Sequence, residues 1–111
     1  MRQKMVYLLS QIIDRSAEKF PNHIAFRIYG EALTYSELSR RSNQLARTIT
    51  LQGAIRGDRI GIFMNKCIEM PIAVHGIMKS GAAYVPIDPA APTERLKFII
   101  KDCGIRVLVT Q

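Results

Sequence analysis

Apolar positions recur at helical spacing in the first part of this chain. Over residues 4–20 they form one stripe, and charged residues of both signs take the other faces, which predicts an amphipathic helix. Mixed charge on the polar face favours burial against a sheet over a membrane surface. Pro21 and Asn22 then end the helix. The stripe consists of Met5, Leu8, Leu9, Ile12, Ile13, Ala17 and Phe20.

A hairpin and a second helix follow. Two short apolar segments, residues 24–29 and 32–35, flank Gly30-Glu31 and predict paired strands with a short turn. Thr34 can then cap a helix, and Glu37 three positions later can close a capping box.

This second helix is predicted to run to about Gln52, with Gly53 as its C-cap. Leu33, just before it, can pack on Leu38 as a hydrophobic staple. One side of the helix carries apolar residues and the exposed side carries arginines. The apolar set is Leu38, Leu45, Ala46 and Ile49, and the arginines are Arg40, Arg41 and Arg47.

From Asp58 onwards, short apolar runs alternate with helical patterns. Such alternation predicts a βαβαβ unit with right-handed crossovers and a parallel sheet buried on both faces. Asn65 is a candidate N-cap, and Pro71 argues against a fully regular helix. The runs are residues 59–64, 83–87 and 106–110, the helices are residues 66–80 and 93–103, and Gly81, Pro92 and Gly104 mark helix boundaries.

The stretch GIMKSGAAYVPIDP, residues 76–89, invites interpretation as a phosphate-binding loop. Such a loop needs G-x-x-x-x-G-K-[ST] opening a helix. Here Gly76 falls within a helix, Gly81 closes it, and Ala82-Ala83 replace the required Lys and Ser or Thr. Lys79 is expected to compensate the negative end of the helix dipole. The stretch therefore predicts a helix stop, a strand and a turn.

The amino-acid composition and net charge limit the classes of function that this chain can have. The 111 residues suffice for one domain, and 48% apolar with 23% charged residues indicates a folded globular chain. The net charge of +7 raises nucleic acid as a partner, but the basic residues are scattered and only Arg40-Arg41 are adjacent. We expect no nucleic-acid partner, and steep salt dependence of association would be the mark of one.

No secretory leader or membrane-spanning window is expected, because the apolar run at the start breaks at Ser10 and Gln11. With two cysteines, the chain is expected in a reducing cytoplasm.

The sequence context assigns no residue a catalytic, cofactor-binding or metal-binding role. A metal site from Cys67, His75 and Cys103 lacks ligand spacing, and core packing is the expectation for both cysteines. His75 is expected to be a half-buried helix residue rather than a base, and His23 lies far from it in sequence. Asp88 is expected to cap backbone donors in a turn. Glu37 and Glu94 suit the first turns of helices, and neither Ser36 nor Ser80 lies in a nucleophile elbow.

MKSGAAYVPIDP, residues 78–89, and LTYSEL, residues 33–38, resemble the first two sequence signatures of the adenylate-forming superfamily. This superfamily comprises acyl-CoA ligases and the adenylation domains of nonribosomal peptide synthetases. The resemblance extends to RGDRIGIFM, residues 56–64, and to residues 91–111, in the expected order. Ser80 and Met78 stand where alanine and leucine are usual. The resemblance implies that residues 1–111 form the N-terminal subdomain, part of the large α/β domain of such an enzyme.

The resemblance also implies the chemistry of the parent enzyme. A carboxylic acid and Mg-ATP would give an acyl-adenylate, and the acyl group would pass to a thiol of coenzyme A or of a carrier-protein phosphopantetheine. The family's phosphate loop, ribose-binding aspartate and catalytic lysine would lie beyond Gln111. We therefore expect the chain alone to be inactive and to bind none of these cofactors.

Several alternatives remain open at this point. The chain could be a noncatalytic interaction module or a subunit of a split ligase, with the rest of a ligase chain as its partner. It could also be a truncation or the remnant of a gene. A start at Met1 shortly before the first helix favours a free-standing ligase over a synthetase module. The acid substrate is not readable from these residues.

Overall fold

The computed structural model describes residues 9–111, which form an α/β fold. The first residues of the predicted amphipathic helix, Met5 and Leu8 among them, lie outside the described residues. Within the described range, no helix is both long and apolar enough to cross a membrane. The elements are α1 (Leu9–Lys19), β1 (Ile24–Ile28), β2 (Glu31–Thr34), α2 (Tyr35–Leu51), β3 (Arg59–Phe63), α3 (Glu69–Lys79), β4 (Ala83–Ile87), α4 (Thr93–Cys103) and β5 (Val107–Val109).

The apolar face of α1 is narrower than the sequence pattern predicted. Ile13 and Ala17 are half-buried, whereas Ile12 and Phe20 are 48% and 49% exposed. Burial of the whole stripe was therefore a wrong prediction for these two residues. Among the described residues of α1, Ile13 is the one that packs against the small core cluster beneath the helix. This cluster comprises Leu33, Leu38, Ile68 and Ile72.

Strands β1 and β2 form the predicted antiparallel hairpin, but its turn lies one residue earlier than expected. Ile28 pairs with Glu31, so the two turn residues are Tyr29 and Gly30, with φ angles of 49° and 82°. A two-residue turn with positive φ at both positions matches the twist of the flanking strands. Gly30 adopts this conformation without strain.

The capping box at the start of α2 is confirmed in both directions. The amide of Glu37 donates to Thr34 Oγ1 at 3.1 Å, and the amide of Thr34 donates to Glu37 Oε1 at 3.0 Å. The backbone and side-chain hydrogen bonds from Thr34 lower the pKa of Glu37. Leu33 and Leu38, the predicted staple, are both fully buried in one cluster.

Removing the capping hydroxyl has a defined expected cost. Thr34→Ala leaves the Glu37 amide without its acceptor and should lower the free energy of unfolding by about 1 kcal/mol. Urea unfolding followed by circular dichroism measures this change. Thr48→Ala is the matched control, because the Thr48 hydroxyl donates only to the carbonyl of Gln44 within the same helix. A loss no larger for Thr34→Ala than for Thr48→Ala would contradict the role of the cap.

Strands β3, β4 and β5 form the predicted parallel sheet, in the order β4-β3-β5. Since β4 and β5 lie on opposite sides of β3, right-handed crossovers place α3 and α4 on opposite faces of the sheet. The face toward α3 holds the main core. Its buried residues are Ile49, Ile60, Ile62, Met64, Ala73, Ile77 and Ala82.

The second face of the sheet is buried less completely than predicted, because Ile87 and Ile105 are 3% and 7% exposed there but other residues are not covered. Leu108 on this face is 44% exposed, and α4 has no buried residue. Gly61 lies at its centre, where an added Cβ would come within 2.6 Å of Leu108 and 2.9 Å of Ile87. Parallel sheets normally carry helices over both faces. Among the described elements, α4 is the helix that lies over this second face.

The start of α3 and the C-cap of α2 differ from their predicted positions. Helix α3 begins at Glu69 with Ile68 as its N-cap, so Asn65 does not cap it. Pro71 then falls in the first turn, where backbone N–H groups have no intrahelical acceptor, and the helix stays regular. Gln52 is the C-cap of α2, and Gly53 with φ 93° follows it. Helix α4 has its predicted bounds, Thr93–Cys103, and Pro92 is its N-cap residue.

Candidate functional site

The carboxyl ends of β3, β4 and β5 lie at one edge of the parallel sheet. In open α/β sheets, ligands bind outside this edge. The residues that follow the three strands are Met64, Asp88 and Thr110. This edge is therefore the candidate functional site of the chain.

Cys67 and Gln111 connect the loop after the central strand β3 to the end of the chain after β5. The Cys67 thiol donates to Gln111 Oε1 at 2.8 Å and lies 3.7 Å from Met64 Sδ. Cys67 is half-buried and packs against the main core cluster, as its predicted role in core packing requires. The contact holds the residues after β5 close to the loop after β3.

Asp88 forms the predicted turn after β4. Its carboxylate Oδ1 accepts from the amide of Ala90 at 2.9 Å, and its carbonyl accepts from the amide of Ala91 at 3.0 Å. An aspartate that satisfies the backbone two residues ahead is a turn-forming residue. This carboxylate organises the loop between β4 and α4.

The glycine-containing stretch 76–89 is confirmed as a helix stop followed by a strand. Gly76 lies inside α3, and Gly81 follows the C-cap Ser80 with φ 88°. An added Cβ on Gly76 would lie 2.7 to 2.9 Å from three side-chain atoms of Leu45 in α2. Gly76 therefore allows α2 and α3 to approach closely.

Lys79 lies in the last turn of α3 as predicted, but it also anchors a polar cluster between three helices. Its ammonium bonds to Asp14 Oδ1 at 2.7 Å, to Ser42 Oγ and Asn43 Oδ1 at 2.8 Å each, and to the carbonyl of Ser39 at 3.4 Å. The side chain of Lys79 is only 8% exposed. We call these five residues the Lys79 cluster. It joins α1, α2 and α3.

Sequence reasoning missed the Lys79 cluster. The signal that could have indicated it is the polar set Ser39, Ser42 and Asn43, which follows helical spacing on the side of α2 that also carries Leu38. Ser42 is fully buried, and a buried hydroxyl needs a partner.

His75 is half-buried in α3, as predicted, one turn before Lys79. Both ring nitrogens are buried, and neither has a hydrogen-bond partner among the described residues. Burial lowers the pKa of His75, the positive charge of Lys79 lowers it further, and Asp14 opposes both. The ring of Phe26 in β1 lies 6.2 Å away. No nucleophile is in evidence beside this imidazole in the described part of the chain.

The remaining candidates do not assemble into a site in the described residues. Nowhere in residues 9–111 do three His, Cys, Asp or Glu side chains lie close enough to hold a metal ion. His23 stacks on Phe20 with ring centroids 5.0 Å apart. A small pocket beside Asp58 and Arg106 lies at the amino ends of the strands, away from the edge where ligands bind.

A comparison with protein-family models places the fold in a known family. The model described as AMP-binding enzyme matches residues 13–111. The chain belongs to the AMP-binding enzyme family. The predicted resemblance to adenylate-forming enzymes is thereby confirmed.

Relatives of this AMP-binding chain include large peptide synthetases. Gramicidin S synthase 2 of Brevibacillus brevis is 38% identical over 100 residues, which are 90% of this chain and 2% of that protein. Tyrocidine synthase 1 of Brevibacillus parabrevis is 37% identical over 103 residues, which are 93% of this chain and 10% of that protein. The chain thus spans a small part of these relatives.

Solved structures show the same relation. The nonribosomal peptide synthetase FmoA3, in its form with bound alpha-methyl-L-serine-AMP, matches all of this chain over 13% of its own length, with a TM-score of 0.92 and 32% identity. The N-terminal subdomain of NpsA from Klebsiella oxytoca matches 95% of this chain over 28% of its own, with a TM-score of 0.84 and 26% identity. These matches confirm the predicted fold class, the α/β N-terminal part of the large domain.

Proposed function

We propose that this chain is the N-terminal portion of an AMP-forming ligase of the amino-acid-adenylating type. The parent enzyme converts a carboxylic acid and Mg-ATP into an acyl-adenylate with release of pyrophosphate. It then passes the acyl group to the phosphopantetheine thiol of a carrier protein. The observation that carries the proposal is the match over the whole chain to a peptide synthetase at a TM-score of 0.92. The peptide synthetases among the relatives support the carrier-protein thiol over coenzyme A.

Residues 1–111 provide structural support in this proposal, and none is assigned a catalytic or ligand-binding role. At the carboxyl edge, the Asp88 carboxylate already accepts a hydrogen bond from the amide of Ala90. The side-chain oxygen of Gln111 accepts one from the Cys67 thiol. Magnesium prefers several oxygen ligands, and ATP needs a cradle of backbone N–H groups. These edge residues alone do not fit Mg-ATP. Their hydrogen bonds hold the loops at this edge of the sheet in place.

An exchange assay tests the inactivity of the chain alone. The purified 111-residue chain, given ATP, radiolabelled pyrophosphate and a mixture of amino acids, should show no exchange above a protein-free blank. A full-length peptide synthetase in the same mixture is the positive control. Reproducible exchange that is lost on heat denaturation of the chain would refute this part of the proposal.

The reading frame beyond the Gln111 codon tests the proposed parent. We expect a Thr/Ser/Gly-rich loop ending in Pro-Lys-Gly a short distance downstream, and a native protein much larger than 12.5 kDa by intact mass. A genuine stop codon, together with a native protein of 12.5 kDa, would exclude the hypothesis that this molecule is part of a larger ligase.

The partly covered second face of the sheet favours one further candidate function, a noncatalytic module or split-ligase subunit. Phe98 of α4 is 67% exposed and Leu108 of β5 is 44% exposed. Exposed apolar surface of this kind favours contact with another polypeptide. Co-purification of the native chain with a separate, larger ligase-like chain would support the split-ligase function over a single continuous parent.

A further inference from the structure

The Asp14 carboxylate anchors α1 to α2 and α3. Asp14 accepts from the Lys79 ammonium at 2.7 Å and from the Ser39 hydroxyl at 2.7 Å. Ile13 adds the contact with the small apolar cluster, whereas Ile12 is exposed. This charged hydrogen bond therefore contributes to the docking of α1 onto α2 and α3.

His75 lies beside this anchor. The charged groups that face it are Lys79 on its own helix and Asp14 on α1, while β1 contributes the uncharged ring of Phe26. The α2 groups that bond to the Lys79 ammonium are uncharged. They are the carbonyl of Ser39, the hydroxyl of Ser42 and the side-chain oxygen of Asn43. The Arg41 and Glu69 pair between α2 and α3 lies at the other end of α3, with a separation of 3.9 Å.

The burial of the two ring nitrogens without partners disfavours a protonated imidazole in this environment. A protonated ring carries two N–H donors, and within residues 9–111 neither nitrogen has an acceptor. Asp14 is the one carboxylate that faces both His75 and Lys79 in the described structure, and it is already bonded to the ammonium. A second buried positive charge would therefore remain without a partner.

We propose that His75 and the Lys79 cluster form an acid-sensitive latch for α1. Protonation of the imidazole places a second positive charge beside the buried ammonium, and α1 leaves α2 and α3 so that water can hydrate both cations. The latch is independent of the ligase chemistry. It makes the position of α1 depend on pH while the parallel sheet stays folded.

The direction of the pH effect follows from the lowered pKa of His75. A base whose pKa is lower in the docked state binds its proton more readily once α1 is released. The stability of the docked state is fully present above the ordinary value of 6.5 and is lost as pH falls through the lowered pKa.

Hydrogen exchange of the 111-residue chain, measured by mass spectrometry between pH 7.5 and 5.0, tests the latch. After correction for intrinsic exchange rates, protection of α1 amides should fall by up to about tenfold per pH unit, while β3 stays protected. His75→Leu should abolish this pH dependence. The matched control His23→Leu should retain it. Constant protection of α1 in the wild type, simultaneous loss in α1 and β3, or unchanged pH dependence in His75→Leu would each overturn the proposal.

A second measurement keeps the test decisive if His75→Leu does not fold. The Cε1–H resonance of His75 in the wild-type chain is titrated by NMR and compared with the loss of α1 protection. Loss of α1 protection that starts near pH 6.5 and levels off near the pKa measured for the docked imidazole supports the latch. Loss that continues well below that pKa overturns it, because the release of α1 would then follow another group.

Discussion

Gly76→Ala should lower the free energy of unfolding of the chain by about 2 kcal/mol, although alanine is the better helix former. The added methyl group would meet Leu45 Cβ and Cγ at 2.9 Å and Leu45 Cδ2 at 2.7 Å. A rotamer change moves Cδ2 and Cγ, but Cβ is fixed to the backbone of α2. The two helices must therefore separate, which weakens the contacts of Ala73 and Ile77 in the main core.

Urea unfolding of the single and double variants measures this effect. Leu45→Ala removes two of the three clashing atoms, so the double variant should lose less than the sum of the two single losses. A positive coupling of this kind identifies the close approach as the cause. If Gly76→Ala were as stable as the wild type, the proposed packing of α2 against α3 would be wrong.

Lys79→Met should lower the free energy of unfolding by about 2 kcal/mol, because it removes the ammonium donor from a fully buried hydroxyl and from a carboxylate. Methionine keeps the length of the stem, so packing is little changed. Ser42 loses its donor at 2.8 Å, and Asp14 loses the ammonium at 2.7 Å but keeps the Ser39 hydroxyl. Asp14 is 41% exposed and can regain water, which limits the loss.

Lys101→Met is the matched control, since Lys101 also lies in the last turn of a helix and its side chain is exposed. It should change stability by less than about 0.5 kcal/mol. The loss in Lys79→Met should also persist in 0.5 M salt, because buried pairs are weakly screened. Equal losses in the two variants would show that Lys79 acts only on the helix dipole.

Local chemistry explains most of what could be predicted about the fold. The capping box at Thr34 and Glu37 and the staple of Leu33 on Leu38 depend on residues within one turn, so the sequence specifies them directly. The alternation after Asp58 likewise specifies the parallel sheet. Boundaries were less certain, because Asn65 has the chemistry of an N-cap but α3 begins only at Glu69.

The candidate site was predicted in part. The carboxyl edge follows from strand order, and the turn role of Asp88 follows from its own side chain. The contact between Cys67 and Gln111 joins residues 44 positions apart and leaves no local signal.

The sequence by itself determined the family, the order of helices and strands, and the absence of a phosphate loop in residues 76–89, because these depend on short motifs and on the spacing of apolar residues. Only the tertiary structure decided which side chains meet across elements. It brought Lys79 to Asp14 over a separation of 65 positions, placed Gly76 against Leu45, and left one face of the sheet partly open. The reason is that packing between distant helices depends on the whole backbone, which no short motif specifies.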